Sequence, residues 1–295
     1  MTNKSKKNIL ITGANGQLGN ELRQLEVSYA QYNFYFADID TLDICRRGAV
    51  NDFIEANKID YIVNCAAYTA VDKAEDEPTE ALLVNKYAVE NLALAAAGKA
   101  KIIHISTDYV FDGTATSPYK ETDPTNPNSV YGRTKQEGEA VLMRYCKESI
   151  IIRTAWLYSS FGNNFVKTMR KLGIERESLN VVADQVGTPT YAGDLAKTIM
   201  EILLFCDKEN TFAAGIYHYS NHGQCSWYDF AQKIHEISHI TSCRISPIDT
   251  ASYPTKAARP AYSVLDKTKI KETFKLHIPQ WEDSLKICIA LLPPI

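Results

Sequence analysis

In the stretch Tyr131-Gly132-Arg133-Thr134-Lys135, a tyrosine and a lysine stand four residues apart. On a helix that spacing puts a phenol and an ammonium on one face, one turn apart. Such a pair can move a proton. A tyrosine holds its proton to about pH 10 and a nearby cation favours the phenolate, so the spacing predicts that Lys135 brings Tyr131 nearer neutral pH as a general acid or base. Proton transfer of this kind contributes about 10²–10⁴-fold in rate. Because the chain has 17 tyrosines, one such pair arises by chance, and two exposed residues on a solvated helix is the plain structural alternative. What gives the pair weight is its company upstream.

Residues 8–12 (NILIT) form a short apolar run that feeds into Gly13-Ala14-Asn15-Gly16-Gln17-Leu18-Gly19 and then a helical pattern through Leu22 and Leu25. In this strand, turn and helix, Gly13 permits a tight turn and Gly16 lets the backbone approach a pyrophosphate. Gly19 allows close helix packing, and the helix start offers free N–H donors. A second strand, 33–37, ends in Asp38, 19 residues past Gly19. There a dinucleotide fold sets an acid on the adenosine ribose, which favours NAD over NADP. The plain alternative for Asp38 is a turn residue, with Asp40 or Asp43 capping a helix that runs to about residue 57. Residues 60–67 (DYIVNCAA) read as a third strand whose small residues Cys65, Ala66 and Ala67 leave room for a flat cofactor at its carboxyl end.

A long helix is predicted over 78–98 and a fourth strand over 101–106, with Thr107 and Asp108 just past its end, where a hydroxyl can hydrogen-bond a substrate carbonyl. Pro- and Gly-containing residues 112–129 read as a surface loop, and 130–145 as the helix that carries Tyr131 and Lys135. Residues 149–156 form another strand. This alternation predicts an α/β protein with a doubly wound, Rossmann-like parallel sheet. Beyond Tyr158 a helix to about residue 172, a strand over 179–183 and a loop over 184–190 begin a smaller lobe. A helix over 193–205 and a strand over 216–220 return to the main sheet. The expected division is a dinucleotide-binding domain over 1–160, completed by about 192–220, with a substrate-binding lobe formed by 161–191 and 221–295. Pro293-Pro294 reads as a tail.

The chain has 295 residues, 45% of them hydrophobic, and a net charge of -3. That charge argues against a surface built for nucleic acid. No apolar run approaches the ~18 residues of a membrane span. Residues 1–8 are polar and basic without the apolar core of a signal peptide, which points to a cytoplasmic protein. Seven cysteines from Cys45 to Cys288 contain no C-x-x-C pair and read as reduced, buried thiols. One competing motif is literal: His235-Glu236-Ile237-Ser238-His239 satisfies the H-E-x-x-H zinc signature. It follows an ordinary apolar stripe of Phe230, Ile234 and Ile237, lacks a third ligand at a useful spacing, and reads as a solvated helix face.

The motifs GANGQLG, CAAYTAVDKAE, STDYVFDG, YGRTK, GNNF and DQVGTPT, in this order, resemble the extended short-chain dehydrogenase/reductase superfamily, and within it the reductases of dTDP-linked keto sugars, over nearly the whole chain. The resemblance implies reduction of the C4 ketone of dTDP-4-dehydro-L-rhamnose by NADPH or NADH, giving dTDP-L-rhamnose. It makes Tyr131 the proton donor, Lys135 its tuner and a ligand of the nicotinamide ribose, and Thr107 the hydroxyl that polarises the carbonyl. Gly16, Gln17, Leu18, Asp38, Asp43, Ile44 and Cys65 to Ala67 match cofactor positions, and Asp108 and Trp156 match substrate positions. Asn163, Asn164, Gln185 and Arg259 are further candidates for the nucleotide-sugar, Arg259 because its fork suits a diphosphate. Its alternative is a surface Arg beside Pro260. Some relatives form a homodimer that shares a metal through glutamates. Glu21 matches one of these, but Gly193 stands where the next is expected, with Asp194 adjacent, so no metal is assigned and a homodimer stays open. Two alternatives remain: another nucleotide-sugar reductase or epimerase of the superfamily, or a non-catalytic dinucleotide-binding regulatory subunit. Thr107, Tyr131 and Lys135 standing together favour an enzyme.

Overall fold

The computed structural model describes residues 6–294; the expectation drawn from residues 1–8 falls mostly outside them. Six strands, β1 (Lys7–Thr12), β2 (Tyr32–Ala37), β3 (Tyr61–Asn64), β4 (Lys101–Thr107), β5 (Ser149–Thr154) and β6 (Gly215–His218), form one sheet in the order β6-β5-β4-β3-β1-β2. Every neighbouring pair is parallel. A parallel sheet covered on both faces needs strands that are apolar at successive positions. Ile9, Leu10 and Ile11, and again Ile150, Ile151 and Ile152, meet that need: all six are at most 1% exposed. One face is covered by helices Gln17–Gln24 and Ala192–Glu209, the other by Arg47–Ala56, Ala88–Ala96 and Val130–Tyr145. The order reverses between β1 and β3, and the carboxyl ends of β1, β3 and β4 open on a common crevice, as in a Rossmann-like sheet.

Several elements depart from expectation for identifiable reasons. The predicted 78–98 helix is α-helical over Pro78–Leu82 and Ala88–Ala96 but passes through a π turn at Leu83–Tyr87. Within that turn the buried Asn85 bonds the Tyr68 backbone through both ends of its amide and reaches Thr134 Oγ1, a demand that an uninterrupted ladder does not meet. The short helix Val71–Asp76 before it has too few residues to show a period. Neither Asp40 nor Asp43 caps the second helix: Arg46 holds that position without a side-chain bond, and Asp43 Oδ1 accepts from Cys45 N instead. Strand β5 stops at Thr154 because Trp156 turns left-handed, with φ 48°, a conformation that a bulky residue rarely adopts.

The smaller lobe packs helices Phe165–Glu175, Trp227–Ile237 and Trp281–Ala290 around the parallel pair Ser178–Val182 and Arg244–Ile248. The expected 184–190 loop contains two short strands, Val186–Gly187 and Thr190–Tyr191. They pair with Cys225–Ser226 and Leu157–Tyr158 and so tie lobe to sheet. At the C-terminus, Arg170 Nη2 donates to the Pro293 carbonyl at 2.8 Å.

Candidate active site

The crevice is a cleft of about 830 Å³. Gly13, Asn15, Gly16, Gln17 and Leu18 line one end; Thr107, Asp108, Tyr131, Lys135 and Trp156 line the other. Asp38, Asp43, Ile44, Cys65, Ala66, Ala67 and Asn163 contribute to its walls. Gly13 has φ 64°, and a Cβ there would lie 2.7 Å from the Ala66 backbone, so only glycine lets the turn after β1 pack against the exit of β3. A Cβ at Gly19 would stand 2.5 Å from Gly13 O; this residue seats the helix on the turn rather than lining the cleft. The Gln17–Gln24 helix begins at Gly16 with no side-chain cap, leaving first-turn N–H groups and a positive dipole end for an anion. Asp38 Oδ2 accepts from Asn15 N at 2.8 Å and Oδ1 from Ile39 N at 2.9 Å.

The helix Val130–Tyr145 is started by Ser129, whose Oγ accepts from Gly132 N at 3.1 Å. It presses close to the exit of β4, where a Cβ on Gly132 would lie 2.1 Å from Tyr109 O. This contact sets Tyr131 edge-on to Tyr109, ring centroids 5.5 Å apart. Thr107 Oγ1 donates to Asp108 Oδ1 at 3.0 Å and accepts from Tyr109 N at 3.2 Å. Burial pushes the Tyr131 phenol up to about 12, against a Thr107 hydrogen bond that pulls it down. Burial likewise raises the Asp108 carboxyl to about 6, against hydrogen bonds from Ser263 and Thr107. Lys135 is brought down to about 8 by burial, and its Nζ donates to the Ile105 carbonyl at 2.7 Å. The expectation that Lys135 lowers the phenol is therefore not met: the amine turns to the sheet, and desolvation dominates the phenol.

Besides Gly19, three candidates lie outside the cleft lining. Asn164 caps the Phe165–Glu175 helix, its Oδ1 accepting from Lys167 N, while its Nδ2 donates to Gln17 Oε1 at 2.9 Å. Gln185 is buried and donates to Thr250 Oγ1 at 3.0 Å. Arg259 is neither a free fork nor a loose surface residue: its Nη2 meets Asp72 Oδ2 at 2.6 Å. A partner 187 residues away in sequence leaves no local signal. The H-E-x-x-H stretch is also not a solvated face. His235 is buried with Nε2 3.0 Å from Met169 O, and His239 lies past the helix end with φ 57°. Glu21 turns inward to accept from Ser159 Oγ at 2.6 Å. Among the described residues no group of three or more His, Cys, Asp or Glu could hold a metal, and no helix is long and apolar enough to cross a membrane. Five cysteines are buried, while Cys45 and Cys65 are partly exposed. Sequence reasoning missed Asn64 and His104, buried polar residues inside apolar strands; a lone amide and a lone imidazole in such runs were the available signal.

A parallel doubly wound sheet with a glycine turn at one end of its cleft and Thr107, Tyr131 and Lys135 at the other defines an oxidoreductase of the extended short-chain dehydrogenase/reductase superfamily. A family model described as the RmlD substrate binding domain matches residues 7–293. A dTDP-4-dehydrorhamnose reductase of Aggregatibacter actinomycetemcomitans is 44% identical over 288 residues, 94% of this chain and 97% of the relative. The chain belongs to the dTDP-4-dehydrorhamnose reductase family. Among solved structures, a dTDP-4-dehydrorhamnose reductase of Clostridium acetobutylicum is 43% identical with a TM-score of 0.90, covering 96% of this chain and 99% of that one. A Bacillus anthracis dTDP-4-dehydrorhamnose reductase in complex with NADP is 39% identical with a TM-score of 0.91, covering 97% and 99%.

Proposed function

We propose that this chain reduces the C4 ketone of dTDP-4-dehydro-L-rhamnose to dTDP-L-rhamnose with NADPH or NADH. The observation that carries the reading is one cleft that joins an uncapped helix start to a buried threonine, a half-buried tyrosine and a buried lysine. The glycine turn fits a dinucleotide: the Gly13 contact closes the floor, and the free N–H groups at Gln17 and Leu18 suit a pyrophosphate. A bound reduced nicotinamide supplies the hydride. Cys65, Ala66 and Ala67 leave space for its flat ring, while Asp43 and Ile44 line the wall at the adenosine end.

At the reacting end, Thr107 and Tyr131 direct hydroxyls at the oxygen on which charge grows. A phenol at about 12 is protonated at neutral pH and enters as the acid, delivering its proton to the developing alkoxide. Lys135 then serves the ribose and the return of the proton rather than standing as a cation beside the phenol. Asp108, Trp156 and Asn163 flank the sugar. The sheet, residues 1–160 with about 192–220, carries the cofactor; the lobe of 161–191 and 221–295 carries the nucleotide-sugar. This assignment leaves Asn164, Gln185 and Arg259 as supports of that lobe's walls.

Incubation with freshly generated dTDP-4-dehydro-L-rhamnose should oxidise the nicotinamide in step with the appearance of dTDP-L-rhamnose by NMR. Dinucleotide binding without oxidation would instead indicate a regulatory subunit, and turnover without net oxidation an epimerase. Asp38 stands where a carboxylate accepts from the adenosine ribose and repels a 2′-phosphate. Asp38→Ala is therefore expected to move the NADH to NADPH ratio of kcat/KM about tenfold toward NADPH, the size of one charged hydrogen bond. An unaltered ratio would confine Asp38 to its bond with Asn15.

A further inference from the structure

Below the reacting end of the cleft lies a chain of polar side chains that ends on Lys135, and the reaction above assigns no part to the three behind that lysine. Thr12, Asn64, His104 and Lys135 are each at most 1% exposed. Thr12 Oγ1 donates to Asn64 Oδ1 at 2.6 Å, and the same oxygen accepts the backbone N–H of Ala66 at 3.2 Å. A backbone N–H can only donate, so Ala66 settles which way the Asn64 amide points. Its Nδ2 is then the atom 3.0 Å from His104 Nδ1. Since Nδ2 is also a pure donor, His104 Nδ1 must accept, and the one proton of the neutral imidazole sits on Nε2. Protonating Nδ1 as well would set N–H against N–H in a buried site. Nε2 lies 3.4 Å from Lys135 Nζ, which itself donates to Ile105 O.

We propose that Thr12, Asn64 and His104 form a positioning device for Lys135, locking His104 as its Nε2–H tautomer so that an N–H donor faces the amine and disfavours the ammonium form. An amine with a free lone pair can accept that donor; an ammonium cannot. The other groups facing Lys135 pull in different directions. The Glu139 carboxylate on the same helix and the Cys65 sulfur after β3 favour the proton, whereas burial opposes it, and Lys135 comes down to about 8. His104 is driven well below the ordinary histidine range by burial and by Lys135. The consequence is a lysine that changes charge close to physiological pH, one helical turn along from a tyrosine that must be reprotonated at each turnover. Its use in turnover rests on the reductase reading above; the tautomer and the lysine titration do not.

Nitrogen-15 NMR of the full-length protein tests both parts. The unmodified protein should show His104 with Nε2 protonated, Nδ1 bare and no titration between about pH 5 and 9, and a Lys135 Nζ resonance, identified by its loss in Lys135→Met, that titrates near 8. His104→Leu removes the facing donor and should raise the Lys135 midpoint by about one pH unit, tenfold in proton affinity. His104→Gln retains an N–H near the Nε2 position and should restore the original midpoint. An Nδ1–H tautomer, or a His104→Leu midpoint equal to that of the unmodified protein, overturns the proposal. Should His104→Leu fail to fold, the tautomer of the unmodified protein decides alone. In kinetics, the alkaline limb of the kcat profile should follow the NMR midpoint. An unmodified protein that shows the tautomer but reduces no nucleotide-sugar counts against the reductase reading and not against the device.

Discussion

Tyr131→Phe is expected to lower turnover by about 10²–10⁴-fold while leaving dinucleotide affinity unchanged. The substitution removes one oxygen and keeps the ring that packs edge-on against Tyr109, so helix and cleft persist. What is lost is the proton for the sugar oxygen. Because burial holds the phenol near 12, its proton is present across the whole neutral range, and the deficit of the variant should be constant between about pH 6 and 9. Single-turnover rates with NADPH, beside a fluorescence titration of the cofactor, make the measurement. Turnover within a few-fold of the unmodified enzyme would remove Tyr131 from the chemistry, and loss of cofactor affinity would mark it as a binding residue.

The second large effect is on stability. Glu139 and Arg153 are each 3% exposed and pair in the fork geometry, Nε to Oε1 at 2.9 Å and Nη2 to Oε2 at 2.7 Å. Ser106 Oγ donates to Glu139 Oε1 at 2.5 Å, and the guanidinium lies over the Phe111 ring, 5.1 Å from its centroid. Removing one charge strands the other without water. Glu139→Gln is expected to cost about 3–5 kcal/mol in urea unfolding, a large share of a typical folding free energy. The double variant Glu139→Leu with Arg153→Met should recover most of that loss, because two apolar side chains leave no orphaned charge. A single variant that loses less than about 1 kcal/mol, the scale of a surface pair, would show that water reaches the guanidinium.

Local periodicity made most of the fold readable. Consecutive buried isoleucines mark parallel strands, the end of the Pro- and Gly-containing 112–129 loop marks the start of the Val130–Tyr145 helix, and glycine at 13 and 19 marks a backbone approach that no side chain permits. The cleft was legible for the same reason, since its walls are the ends of those elements. Long-range partners were not. Nothing near Arg259 announces Asp72, nothing near Lys135 announces that its amine bonds Ile105 rather than flanking the phenol, and Asn164 reads equally well as a ligand and as a cap. The π turn escaped because its cause, Asn85 bonding Tyr68 and Thr134, lies in the tertiary structure.

Asp207, on the helix that precedes β6, receives Lys7 from β1, Tyr32 from β2 and Tyr61 from β3. The ends of the Lys7 bond lie 200 residues apart. A ribosome adding about 5–20 residues per second leaves the first strands waiting roughly 10–40 s for this anchor and for the last strand of their sheet. Throughout that interval the emerging half-sheet presents an open apolar face and an unpaired edge, the conditions under which nascent chains aggregate. The interval is set by translation speed and not by the final stability of the sheet, so the yield of native protein should depend on how fast the message is read.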